Sequence, residues 1–242
     1  MESQAILPAD RWLEQLELHI RRFQASESPE SVHQLRVAAG RLSVWLELGG
    51  RRALRDDLRW LRRRAASVRD LDVMFGKGRS SHWNDLLSVQ RETALEELRA
   101  ALAAPRSASL CTGLRYVPAP TLAVARAGLR RIRRRVLSAG DRLGDDERDS
   151  NVLHHLRRKI RRLRYALDWL GDDATEIKAA QDVFGAMNDM AVELRHIEAH
   201  AGDTALDEHR RAVQAEYDRL RLESIAAWHR ARPLLRERAR NR

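Results

Sequence analysis

His154-His155-Leu156-Arg157-Arg158-Lys159-Ile160-Arg161-Arg162-Leu163-Arg164-Tyr165 is the stretch that decides the fold. Leu156, Ile160, Leu163, Leu167 and Leu170 recur with the period of one face of an α-helix. His154, Arg157, Arg161 and Arg164 share another side of that helix, with Tyr165 beside them. No acid occurs between Val152 and Ala166. A solvent-facing helix surface ordinarily mixes signs and gains i,i+4 ion pairs. A file of like charges repels itself unless an anion neutralises it.

The chain carries a second version of this helix: His33-Gln34-Leu35-Arg36-Val37-Ala38-Ala39-Gly40-Arg41-Leu42. Each copy places a His three residues before an Arg, and then a basic residue before a Leu. The repeat predicts two parts with two matching basic faces. The first strip is His33, Arg36, Gly40 and Ser43, so two of its basic positions are lost. Val44 takes the place of Tyr165, and Arg41, matching Arg162, keeps charge on the flank.

Outward from these two helices, helical periodicity dominates, and the alternating β-branched runs of strands are missing. The first part is expected to hold helices over about residues 11–24, from Ser28-Pro29 to Gly49-Gly50, about 53–75 and about 83–103. Gly76-Lys77-Gly78 separates the last two. A short helix near 107–114 falls in an irregular stretch, and the boundary between lobes is set at about Pro118. The second part is expected to hold helices over about 122–139, 153–170, 175–199 and 203–229, with a polar loop from Gly140 to Ser150 and Pro233 near the end. The spacing between Asp70 and Asp189 nearly equals that between the two His motifs. The economical reading is an all-α chain with lobes over about 7–117 and 118–236, of four helices each.

Within 242 residues, 43% hydrophobic content supports a packed core, and 33% charged residues leave the helix surfaces heavily solvated. The net charge is +10, and because only Lys77, Lys159 and Lys178 are lysines it is almost entirely arginine. Arginine's planar fork suits bidentate contact with phosphate. Cys111 is the only cysteine, which excludes an intrachain disulfide and fits a reducing cytosol. The first ten residues do not resemble a signal peptide, and no run approaches the roughly 20 apolar residues of a membrane helix. A soluble, cytoplasmic protein is expected, with no membrane partner.

Further basic residues extend the candidate site. Arg126, Arg130 and Arg133 flank the apolar stripe of Leu129, Ile132 and Val136 and are expected to line the same cavity; Arg131 and Arg135 are expected to be merely solvated. Arg22 is the looser counterpart in the first lobe, and Arg158 joins the strip of the second. Asp70, Asp72 and Asp189 are read as orienting arginines through ion pairs. His196 and His200 have i,i+4 spacing without a third ligand. No catalytic constellation, metal site or cofactor motif is expected.

The paired His-x-x-Arg helices, the Arg69-Asp70-Leu71-Asp72 element and the Arg164-Tyr165 pair resemble the CHAD family, the conserved histidine α-helical domain. The likeness runs from about Leu7 to Leu235. It implies a single domain of two pseudo-symmetric four-helix bundles flanking a basic central cavity, binding of inorganic polyphosphate, and residence at polyphosphate granules. The family's phosphate-contacting positions match His33, Arg36, His154, Arg157, Arg161 and Arg164 here. Gly40 and Ser43 depart from the usual basic residues, which implies weaker binding by the first lobe. The acidic Glu-x-Glu-x-Lys signature of the triphosphate-tunnel domain often fused to such chains is absent. Two alternatives stand beside a polyanion-binding module. One is a metal-dependent phosphohydrolase or phosphotransferase acting on polyphosphate. The other is non-specific nucleic-acid binding, disfavoured because aromatics are only 5% and single-strand binders offer several stacking platforms.

Overall fold

A computed structural model describes residues 5–75, 81–144, 150–200 and 202–240. The expected break at Gly76-Lys77-Gly78 and the middle of the expected polar loop, 145–149, lie outside the described residues. The described chain is all-α, with α1 (Asp10–Ser26), α2 (Pro29–Leu48), α3 (Arg55–Met74), α4 (Ser81–Ala103), α5 (Pro105–Tyr116), α6 (Leu122–Asp141), α7 (Ser150–Leu170), α8 (Thr175–Glu198) and α9 (Asp207–Arg240). Short 3₁₀ turns occupy Arg142–Gly144 and Thr204–Leu206. The chain divides into two compact units, Met1–Ala125 and Arg126–Arg242, with the division in the first turn of α6.

In the first unit, α2 packs between α1 and α3, α4 packs on α3, and α5 touches α1, α3 and α4. Ser28 caps α2, its Oγ accepting from the Ser31 N–H at 3.2 Å, and Pro29 opens the helix with its φ already set. Leu16, Phe23, Leu35, Leu42, Trp45 and Leu61 are buried together as the core. The start of the unit is stitched to its end. Leu7 N–H donates to the Pro120 carbonyl at 2.9 Å, Ile6 bridges Thr121, and Trp45 Nε1–H donates to the Leu7 carbonyl at 2.8 Å.

In the second unit, α8 packs against both α7 and α9. Leu156, Ile160 and Leu163 of α7 are fully buried, as are Phe184 and Trp228. Two expected helix ends are corrected. Gly140 does not end α6. It is buried inside the helix, where a Cβ would fall 1.8 Å from Cζ2 of Trp228, so the glycine admits the indole rather than breaking the helix. Pro233 does not end α9, which continues to Arg240. The proline forfeits the bond its missing N–H would make. Ala231 and Leu235 on either side are buried, and their packing outweighs that loss.

Candidate functional site

The basic face of α7 lies along α8. His154, Arg157, Arg161 and Arg164 are all half-buried at this seam, while Leu153, Leu156, Ile160, Leu163 and Leu167 face the core. The two ends of the strip are tied to α8. Arg164 Nη1 donates to Gln181 Oε1 at 3.2 Å, and the His154 side chain hydrogen-bonds that of Asn188. Gln181, Gly185 and Asn188 share one face of α8 by their i, i+4, i+7 spacing. None of the three carries charge, and a Cβ on Gly185 would meet nothing within 4 Å. Arg157 and Arg161 fall between the two tie points along α7. One turn on from Arg164, Asp168 lies 3.8 Å from its guanidinium, so the C-terminal end of the strip is partly neutralised.

Burial pushes the His154 ring below the ordinary histidine value, and the neighbouring Arg157, Arg158 and Arg195 push it further, against a smaller opposing effect of the Asn188 hydrogen bond. A ring held neutral offers one donor and one acceptor. His154 also borders a cavity of about 780 Å³ whose walls mix Arg195 and Arg221 with Glu198 and Asp218.

The first unit repeats the arrangement with different partners. His33 is half-buried and its ring is likewise pushed down, first by burial and then by the Arg69 charge of α3. Arg69 holds the place relative to His33 that Asn188 holds relative to His154. Arg36 Nη1 donates to Asp70 Oδ1 at 3.2 Å, and Arg91 Nε donates to Asp72 Oδ1 at 2.7 Å. Both acids therefore hold arginines, the role read for them in the sequence. Gly40 is buried in α2, Ser43 is half-buried, and the Arg41 guanidinium stacks 4.3 Å over the Trp12 ring. Arg22 is exposed on α1.

The arginines of α6 do not sort as expected. Arg126, Arg130 and Arg133 occupy three different surroundings rather than one flank. Arg126 Nη1 lies 2.6 Å from both carboxylate oxygens of Asp172, Arg130 is exposed, and Arg133 is buried. Arg133 precedes Gly140 by two helical turns and so lies on the buried side of α6, which the apolar stripe alone did not mark. Arg131 and Arg135 are not merely solvated. With Arg134, Arg142, His155 and Lys159 they line a cavity of about 440 Å³. Tyr165 is only 8% exposed, with Arg164 at 5.9 Å from its ring, and Arg158 is exposed. Sequence reasoning also missed Gln181 and Asn188, although their spacing on one face of α8 was the available signal.

These paired helices, each with a half-buried histidine and arginine at the seam with the next helix, accompany a direct family match. The CHAD domain model matches residues 9–198, and the chain belongs to the CHAD family. Its fold is similar to the crystal structure of the CHAD domain from the plant Ricinus communis, with a TM-score of 0.67 and 22% identity over 96% of this chain and 90% of that one. It is also similar to PptA from Streptomyces chartreusis, with a TM-score of 0.57 and 17% identity over 95% of this chain and 99% of that one. No curated protein matches the chain. Among the described residues, no helix is long and apolar enough to cross a membrane.

Proposed function

We propose that the protein binds inorganic polyphosphate along the α7–α8 seam of its second unit, with the α2–α3 seam of the first as a weaker counterpart. The observation that carries this reading is the arginine file of α7, with no acid between Val152 and Ala166, tied to α8 through Gln181 and Asn188 at its two ends. Successive phosphates of a flexible chain engage successive arginines and release counterions, as a nucleic-acid backbone does, with no base to be read. Neutral His154 supplies a hydrogen bond to a phosphate oxygen. The CHAD family, whose members generally bind polyphosphate rather than catalyse, supports the same ligand. Such binding would also carry the protein to polyphosphate granules.

The test is Arg157→Ala combined with Arg161→Ala, titrated with long-chain polyphosphate at fixed salt. Two charge-assisted contacts of about 1.5 kcal/mol each predict a loss of roughly a hundredfold, with helical circular dichroism unchanged. Unaltered affinity would sink the proposal. Tighter binding of duplex DNA at equal ionic strength would favour nucleic acid, and metal-dependent phosphate release by the pure protein would favour an enzyme.

A further inference from the structure

On the other flank of α7 the same helix borders a different basic cavity. His155 and Lys159 lie about half a turn around the helix from Arg157 and Arg164. They meet Arg131, Arg134 and Arg135 of α6 and Arg142 of the 3₁₀ turn that follows, around a volume of about 440 Å³. None of the described residues lining it is acidic. The volume falls within the roughly 300–1,000 Å³ range of small-molecule sites.

We propose that this cavity is a second, separate anion site, built for a compact condensed phosphate of a few linked units such as inorganic tripolyphosphate. Guanidinium groups from α6 and from the turn after it converge with an ammonium from α7, so a ligand with charge on every unit engages several cations at once. Among the described lining residues there is no Phe, Tyr or Trp, so a nucleobase would find no large stacking platform. Recognition rests chiefly on the phosphates.

His155 reports on occupancy. Its ring is pushed below the ordinary value by burial and by Lys159, Arg158 and Arg142, and Arg131, Arg134 and Arg135 face the same space. A bound oligophosphate reverses the sign of that field and raises the ring's pKa.

The experiment titrates the full-length chain with sodium tripolyphosphate at fixed ionic strength. A chain bearing Arg157→Ala and Arg161→Ala still binds tripolyphosphate. Adding Arg134→Glu and Arg142→Glu to that chain weakens this binding by at least roughly tenfold, and ATP competes within about threefold of tripolyphosphate. In the unsubstituted chain, the His155 ring resonance, assigned with His155→Gln, titrates at higher pH when tripolyphosphate is present. The proposal is overturned if the strip variant alone abolishes tripolyphosphate binding, if the two charge reversals leave it unchanged, or if the His155 titration does not move. Those results would leave the α7–α8 reading intact, because that reading depends on long-chain polyphosphate and on Arg157 and Arg161.

Discussion

Gly140 and Gly185 both sit inside helices, yet they do opposite things. Gly140 is the space into which Trp228 packs, and a methyl group there collides with a fully buried indole. Gly140→Ala should cost about 1–3 kcal/mol as overpacking, read as a lower urea midpoint. Gly185 faces open space, so Gly185→Ala should hold stability or raise it by up to about 1 kcal/mol through helix propensity. Equal effects of the two substitutions would contradict this assignment. The histidines give a second expectation at this scale. His19, His33, His154 and His155 all have folded-state values below the ordinary one, with burial as the largest cause. Above about pH 6.5 both folded and unfolded states are neutral at these rings. Below it the unfolded chain takes up more protons, so stability falls with pH. Thermal unfolding followed from pH 8 to roughly pH 5 should show the midpoint declining through this window, and a flat profile would speak against it.

At the scale of the element, the two seams differ in how many basic side chains they carry. Arg36 is held by Asp70 and Arg41 by Trp12, and Gly40 and Ser43 stand where α7 has Arg161 and Arg164. Arg36→Ala should therefore weaken polyphosphate binding less than tenfold, well short of the α7 double substitution, when the two are titrated side by side. Arg126 belongs to a different task, because its pairing with Asp172 fastens the start of α6 to the turn after α7. Arg126→Ala should lower stability by about 1 kcal/mol in chemical denaturation. The helices themselves were legible from the chain. Ser28-Pro29 and Gly49-Gly50 bound α2 as local chemistry dictates, and the leucine stripe of α7 faces the core. Gly140 and Pro233 misled because breaker propensity is a local quantity, while the packing of Trp228 against Gly140 and the burial of Ala231 and Leu235 around Pro233 are tertiary. The candidate site was legible where a histidine–arginine file lay on one helix. It was not legible on α6, where burial of Arg133 and the gathering of Arg131 and Arg135 depend on neighbouring elements.

For the whole molecule, a net charge of +10 carried almost wholly by arginine makes binding of any polyanion salt-dependent. The logarithm of the polyphosphate association constant should fall linearly with that of salt concentration. Removing Arg157 and Arg161 together should make this slope shallower by roughly 1.4–2, about what two phosphate contacts contribute. An unchanged slope would mean that those side chains do not meet phosphate. The stitching of Leu7 to Pro120 bears on engineering as well. Because the backbone enters and leaves the first unit at adjacent points, that unit suits circular permutation. Its native ends can be fused by a short peptide and new termini opened at the Ala104 bend between α4 and α5, leaving the Trp45 anchor to Leu7 in place.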